Sequence, residues 1–195
     1  MMIPSPAPAS SPRLAPGPWV LGALVFVAAL TRLLPHPPNF SPVAAIALFA
    51  GAYFAQRRWA FVVPLAALVV SDLALAAMMG GLYASWFGGI GIWVVYGCIA
   101  LTSAMGMGMR GRVTGPRVLG YALAGSLLFF AVTNFGAWLG NPMYPQNSAG
   151  LLASYAAGIP FFKWSVLGTL TYSAVLFGGF ELLRSRMPAL RPQTA

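Results

Sequence analysis

Six stretches of this chain are too apolar and too long to be left in water, and they limit the fold before any other residue is considered. They are Pro18 to Leu34, Pro42 to Ala55, Trp59 to Met79, Gly89 to Met109, Val118 to Leu139 and Phe161 to Leu183. About 20 apolar residues carry a helix across a hydrocarbon core of about 30 Å. Lipid offers no hydrogen bonds, and a helix satisfies its own backbone. The expectation is an all-α integral membrane protein, a bundle of six transmembrane helices. Composition agrees, since 59% of residues are hydrophobic and 7% charged, against about 25% charged in soluble domains. A net charge of +9 would suggest nucleic acid in a soluble chain. Here the cations flank apolar runs, so they read as orientation signals and contacts to membrane lipids, with no nucleic-acid partner.

The basic residues alternate. Arg13 precedes the first run, Arg57 and Arg58 follow the second, Arg110, Arg112 and Arg117 follow the fourth, and Arg184, Arg186 and Arg191 follow the sixth. Lys and Arg in short loops stay on the cytoplasmic side, which predicts a multi-pass protein with both termini cytoplasmic. Arg32 and Lys163 break the pattern, each at the outer end of its predicted helix. The second run is short: from Ser41 to Ala55 it reaches only about 22 Å, so it is either a short span or a re-entrant helix. Re-entry would reverse the charge bias of everything after it, which favours a span. Ser41-Pro42 provides an N-cap and a first helical position for it.

The domain organisation follows. Residues 1–17 contain five prolines, with a sixth at Pro18, and are expected to form a disordered cytoplasmic tail. Residues 18–187 form the membrane domain, and 188–195 a second short tail. Ala47, Gly51 and Ala55 repeat at four-residue spacing, a surface for close helix packing within the chain or with a partner. Gly22, Ala23 and Ala28 make a less regular face on the first run. Cys98 is the single cysteine, so neither an intrachain disulfide nor a cysteine metal motif can form.

Asp72 is the costliest residue. About 20 Å into the third run, its carboxylate costs about 2.5–3.5 kcal/mol on insertion scales and must face a partner in the bundle. Arg32 and Lys163 are the cations at that end, and either a structural ion pair or a ligand-binding role suits such a group. The loop from Arg32 to Pro42 is stiffened by four prolines and carries His36 and Asn39. His36 is the only histidine, which rules out a multi-histidine metal site and leaves a solute or pH-sensing contact. Gly140 to Pro160 reads as the longest outer loop. Just before it, Asn134 and Trp138 put an amide and an indole at the mouth of the fifth helix, suited to a small flat polar molecule. The middle outer loop, Gly80 to Gly88, has the glycines of a lid or of a plain interfacial turn. No hydrolase or phosphate-loop signature is present. The reading contains no catalytic residue, no metal and no cofactor.

Arg32-Leu33-Leu34-Pro35-His36-Pro37-Pro38-Asn39-Phe40-Ser41-Pro42, Ala47 to Tyr53, Pro64, Ser71-Asp72, Thr133-Asn134-Phe135-Gly136 and Ile159-Pro160-Phe161-Phe162 resemble an uncharacterised bacterial six-helix inner-membrane family. That family is in turn similar to the substrate-binding S components of energy-coupling-factor (ECF) vitamin transporters. The likeness covers residues 30–183. It departs where Thr169 follows Gly168, a place where an acidic residue is expected. The resemblance implies an inner-membrane subunit that captures a vitamin-like solute from outside and docks on a transmembrane coupling subunit with ATPases. Arg32, His36, Asn39, Asp72, Asn134, Trp138 and Lys163 are the expected solute-binding residues. Two other functions fit the residues: a non-transporting membrane scaffold or assembly factor, and a stand-alone proton-coupled carrier using Asp72.

Overall fold

A computed structural model describes residues 16–84, 89–187 and 190, and among these there is no strand. Helix α1 (Pro16–Leu30) ends in a tight turn, Thr31–Leu33. Its prolines fall in the first turn, where a missing amide donor costs nothing. Then come α2 (Val43–Tyr53), α3 (Arg57–Met79), the single turn α4 (Gly81–Ala84), α5 (Ile90–Met107) and α6 (Gly115–Gly140). Helix α7 (Ser148–Ser173) passes through a wide π turn, Ala174–Gly178, into α8 (Gly179–Arg186). Most of the predicted N-terminal tail, the second half of the predicted lid (Ser85 to Gly88) and most of the C-terminal tail lie outside the described residues.

Four helices are long and apolar enough to cross a membrane: α3, α5, α6 and the continuous α7–α8. The first two runs give shorter apolar helices. In α2 the reason is visible, because all of its residues from Val43 to Tyr53 are buried. It runs through the centre of the bundle against α1, α3, α5, α6 and α7. At 1.5 Å per residue it covers about 16 Å, and its apolar residues form a protein core rather than a lipid-facing surface.

The closest packing joins α2 to α5. A Cβ on Gly51 would overlap the backbone at Ser103 and Gly106, and one on Gly106 would overlap the backbone at Leu48. Ala47 is fully buried, in a cluster with Leu68 and Ile99. Ala55 lies beyond the end of α2 and is exposed. The small-residue stripe is therefore two residues used inside the chain and a third outside the helix.

The sixth helix begins earlier than hydropathy suggests. The predicted outer loop Gly140 to Pro160 is helical from Ser148 onward, with the Asn147 side chain accepting from the Gly150 amide at 3.0 Å as an N-cap. Pro160 lies inside α7 without ending it. From Ser148 to Arg186 the helix counts 39 residues, or about 58 Å.

The chain alternates end to end, so among the described residues the arginines other than Arg32 gather at one end. There Arg110 caps α2, donating to Gly51 O at 3.0 Å and Phe54 O at 2.7 Å. Burial first, then the neighbouring Arg57 charge, pull the Arg110 guanidinium below its ordinary value. Arg117 bonds the Gly108 carbonyl at 2.9 Å. Behind these groups Phe49, Tyr53, Phe177 and Phe180 fill the core with edge-to-face and tilted contacts, ring centres 4.6–5.7 Å apart. The opposite end is hollow.

Candidate functional site

Asp72 is on the inward face of α3, its side chain 3% exposed. Arg32, in the turn that closes α1, reaches across to it with 2.7 Å between Nη1 and Oδ1. Two tyrosine hydroxyls complete the carboxylate. Tyr83 of α4 donates to Oδ1 at 3.0 Å and Tyr96 of α5 to Oδ2 at 2.9 Å. Arg32 also donates to Ser71 Oγ, while Ser71 donates onward to Leu68 O at 3.0 Å. A second arginine nitrogen lies 3.4 Å from the Tyr83 hydroxyl. Burial, and then the Asp72 charge, push the Tyr83 hydroxyl above the usual tyrosine range, so it stays protonated and donates. A buried ion pair repays its desolvation only when its remaining lone pairs are also bonded. The serine and two tyrosines provide those bonds here.

This cluster forms one wall of a cavity of about 660 Å³. Leu68, Leu75, Val95 and Phe129 make much of its lining apolar, and Ser126, Ser165 and Thr169 also line it. Thr169, the departure from the expected acid, is thus a neutral group on the cavity wall. The proline-rich loop forms the rim. Phe40 N bonds Pro37 O at 3.0 Å, closing a turn with Pro38 and Asn39 at its corners. Asn39 adopts φ 65°, the left-handed conformation that the third residue of a type II turn requires and that asparagine tolerates. Gly168 lets α7 approach this loop, since a Cβ there would sit 2.7 Å from Ser41 N. The N-cap of α2 is Pro42 rather than the expected Ser41, and no side chain caps it; Ser41 Oγ lies 3.4 Å from the Val43 amide. His36 Nδ1 lies 2.9 Å from the Pro37 carbonyl. That contact makes Nδ1 the donor and leaves Nε2 as an acceptor in the neutral ring.

A second hollow of about 300 Å³ adjoins the first, sharing Asn39, Phe129, Thr133 and Ser165 with it. Phe130, Phe161, Phe162 and Tyr144 give it an aromatic lining. Asn134 belongs to this hollow. Its amide donates to Phe130 O at 2.8 Å and its backbone carbonyl accepts from Ser154 at 2.6 Å. Gly158 is the residue that fits against it, because a Cβ there would overlap the Asn134 amide.

Of the residues singled out in the sequence, Arg32, His36, Asn39 and Asp72 come together on the large cavity and Asn134 lines the small one. Trp138 and Lys163 line neither. Trp138 donates to Pro145 O at 2.9 Å and its carbonyl accepts from Gln146 at 2.6 Å, pinning the turn between α6 and α7. Lys163 lies in mid-helix on an exposed face, 5.2 Å from the Trp164 ring centre. Its expected place at the mouth depended on a helix starting at Phe161, whereas α7 starts 13 residues earlier. Tyr96 was missed although a signal existed. It lies six residues after the start of α5, and Asp72 lies seven before the end of α3, so two helices joined at that end hold them at one depth.

Over residues 13–190 the chain matches DUF6580, a family of unknown function, and it belongs to that family. Neither the curated proteins nor the solved structures provide a match.

Proposed function

We propose that this member of a family of unknown function is a solute-capture subunit of the inner membrane, of the kind ECF S components represent. The observation that carries the reading is the cavity of about 660 Å³, lined by a fully bonded ion pair and by apolar residues. A pocket of this size with few polar groups suits a small molecule. In this reading the arginine end faces the cytoplasm, the cavity opens outward and both termini are cytoplasmic. The paired Arg32 and Asp72 cancel in charge, which favours a neutral or zwitterionic solute of vitamin-like size. The chain contributes no catalytic residue. Energy comes from ATPases on a coupling subunit, which would meet outward small residues such as Gly22 and Ala23 of α1, since Gly51 is enclosed.

One observation favours the scaffold alternative: every oxygen of Asp72 already has a partner within the protein. The same pairing weighs against a proton-coupled carrier, because the carboxylate is already committed to Arg32 and two tyrosine hydroxyls. Solute-dependent thermal stabilisation of the purified protein, together with co-purification, tests the proposal. Capture predicts stabilisation by a particular solute and recovery with ATPase subunits. If Asp72→Asn and Asn134→Ala leave solute binding unchanged, the pocket is assigned to the wrong place. Recovery with a biosynthetic complex free of ATPases would support the scaffold instead.

A further inference from the structure

Lys163 is a cation that solute capture leaves unused, and its place in the fold is a costly one. Contacts with α6 fix its depth. Tyr155 donates to Ala131 O at 2.7 Å, and the Phe162 ring lies 4.7 Å from that of Phe130. Phe130 is 15 residues from one end of α6 and 10 from the other, about 22 Å and about 15 Å along the helix. Lys163, next to Phe162, therefore sits near the middle of two packed helices, each long and apolar enough to cross a membrane.

The face it occupies is the outer one. Helix α7 turns Ser154 and Thr169 inward, both buried. Lys163 shares the opposite face with Ala156, Pro160, Leu167, Thr171 and Ala174, all exposed and three or four residues apart. In a membrane this face meets hydrocarbon. A lysine close to a boundary snorkels its ammonium into water. From about 15 Å inside, a four-carbon stem is too short to do so. The Trp164 ring, its centre 5.2 Å from Nζ, offers only a cation–π contact, and among the described residues no acid pairs with Lys163.

An ionised amine in hydrocarbon demands an anion. The chain has two acids, Asp72 and Glu181. Asp72 is held inside the bundle by Arg32, Tyr83 and Tyr96. Glu181 lies 18 residues further along the same continuous helix, about 27 Å away, bonded to Tyr53 and Arg184. A second copy would bring the same two engaged acids, and a symmetric pairing through α7 would set lysine against lysine. Lipid phosphates lie at the membrane boundaries, out of reach of this depth. We infer that the outer face of α7 docks a transmembrane helix of a different protein, one that carries an Asp or Glu near its middle to meet Lys163. Ala156 and Ala174 keep the face low enough for a helix to approach. The inference needs only a membrane-spanning α7 and is independent of solute capture.

Energy transfer in phosphatidylcholine vesicles, between the labelled full chain and synthetic leucine-rich transmembrane peptides, tests the assignment. A peptide with one Asp at its centre should associate about tenfold more tightly than its all-leucine counterpart, and moving the Asp to the peptide's end should remove most of that gain. Lys163→Met should abolish the preference. Leu167→Trp, which crowds the docking face, should weaken binding of the Asp peptide, whereas Val70→Trp, at an equally exposed position on α3, should leave it unchanged. Equal association of the Asp and all-leucine peptides overturns the inference, and so does a preference retained in Lys163→Met. Self-association of the chain that Leu167→Trp disrupts would assign the face to a second copy instead, and would overturn it as well.

Discussion

The two ends of this bundle use arginine in opposite ways. At one end Arg110 and Arg117 bond backbone carbonyls at helix termini, and aromatic rings fill the space behind them. At the other, Arg32 bonds side chains from α3 and α4, and a cavity remains beside it. A cation that caps a helix needs only the nearby chain terminus, so packing can close around it. A cation that neutralises a buried carboxylate needs partners from several elements, and bringing their tips together leaves room between the shafts. The contrast separates an end where arginine caps helices from one where it lines a cavity.

The comparison is most exposed to Arg32→Met. Removing the cation leaves Asp72 buried without a counter-charge, and unfolding in detergent should show a loss of about 3–5 kcal/mol. The double variant Arg32→Met/Asp72→Leu should recover most of it. A single variant as stable as the parent would mean that Asp72 is not held as an ion. At the closed end, Arg110→Gln removes two charge-assisted bonds to carbonyls, for an expected loss of about 1.5–3 kcal/mol in the same measurement, with solute binding unaffected. A change in solute affinity there would erase the distinction between the ends. Tyr96→Phe deletes one hydroxyl from Asp72 and should cost about 1 kcal/mol. Its effect on solute binding, compared with Tyr83→Phe, shows which oxygen of the carboxylate the cavity presents. Smallest of all, Lys163→Ala should stay within about 0.5 kcal/mol of the parent and bind solute normally. A lost affinity in that variant would return the lysine to the pocket.

Hydropathy made the long helices readable, because α3, α5 and α6 differ from their predicted runs by a few residues at each end. The start of α7 was hidden. Pro160 marks a boundary in a sequence, yet proline is tolerated within membrane helices where neighbours re-satisfy the freed carbonyl. Lys163 was misplaced with it, since its depth was counted from Phe161 rather than from Ser148. The burial of α2 was equally hidden, since an apolar residue looks the same whether it faces lipid or protein. That Asp72 needs a cation was legible because an acid at that depth demands one, but the sequence left Arg32 and Lys163 both open, and the fold selects Arg32. Tyr83 and Tyr96 were not singled out: tyrosine near a helix end is ordinarily read as interfacial, and only the fold turns these two toward the carboxylate.

Helix α2 also bears on how such a chain is made. A segment of 11 residues cannot leave a translocation channel sideways as a self-sufficient span, because its ends would lie within hydrocarbon. Its entry has to coincide with the arrival of the helices that surround it, which makes membrane integration here a step of tertiary folding rather than of partitioning. Gly51 and Gly106, where α2 and α5 touch backbone to backbone, are then positions at which an added side chain would keep this buried segment from seating.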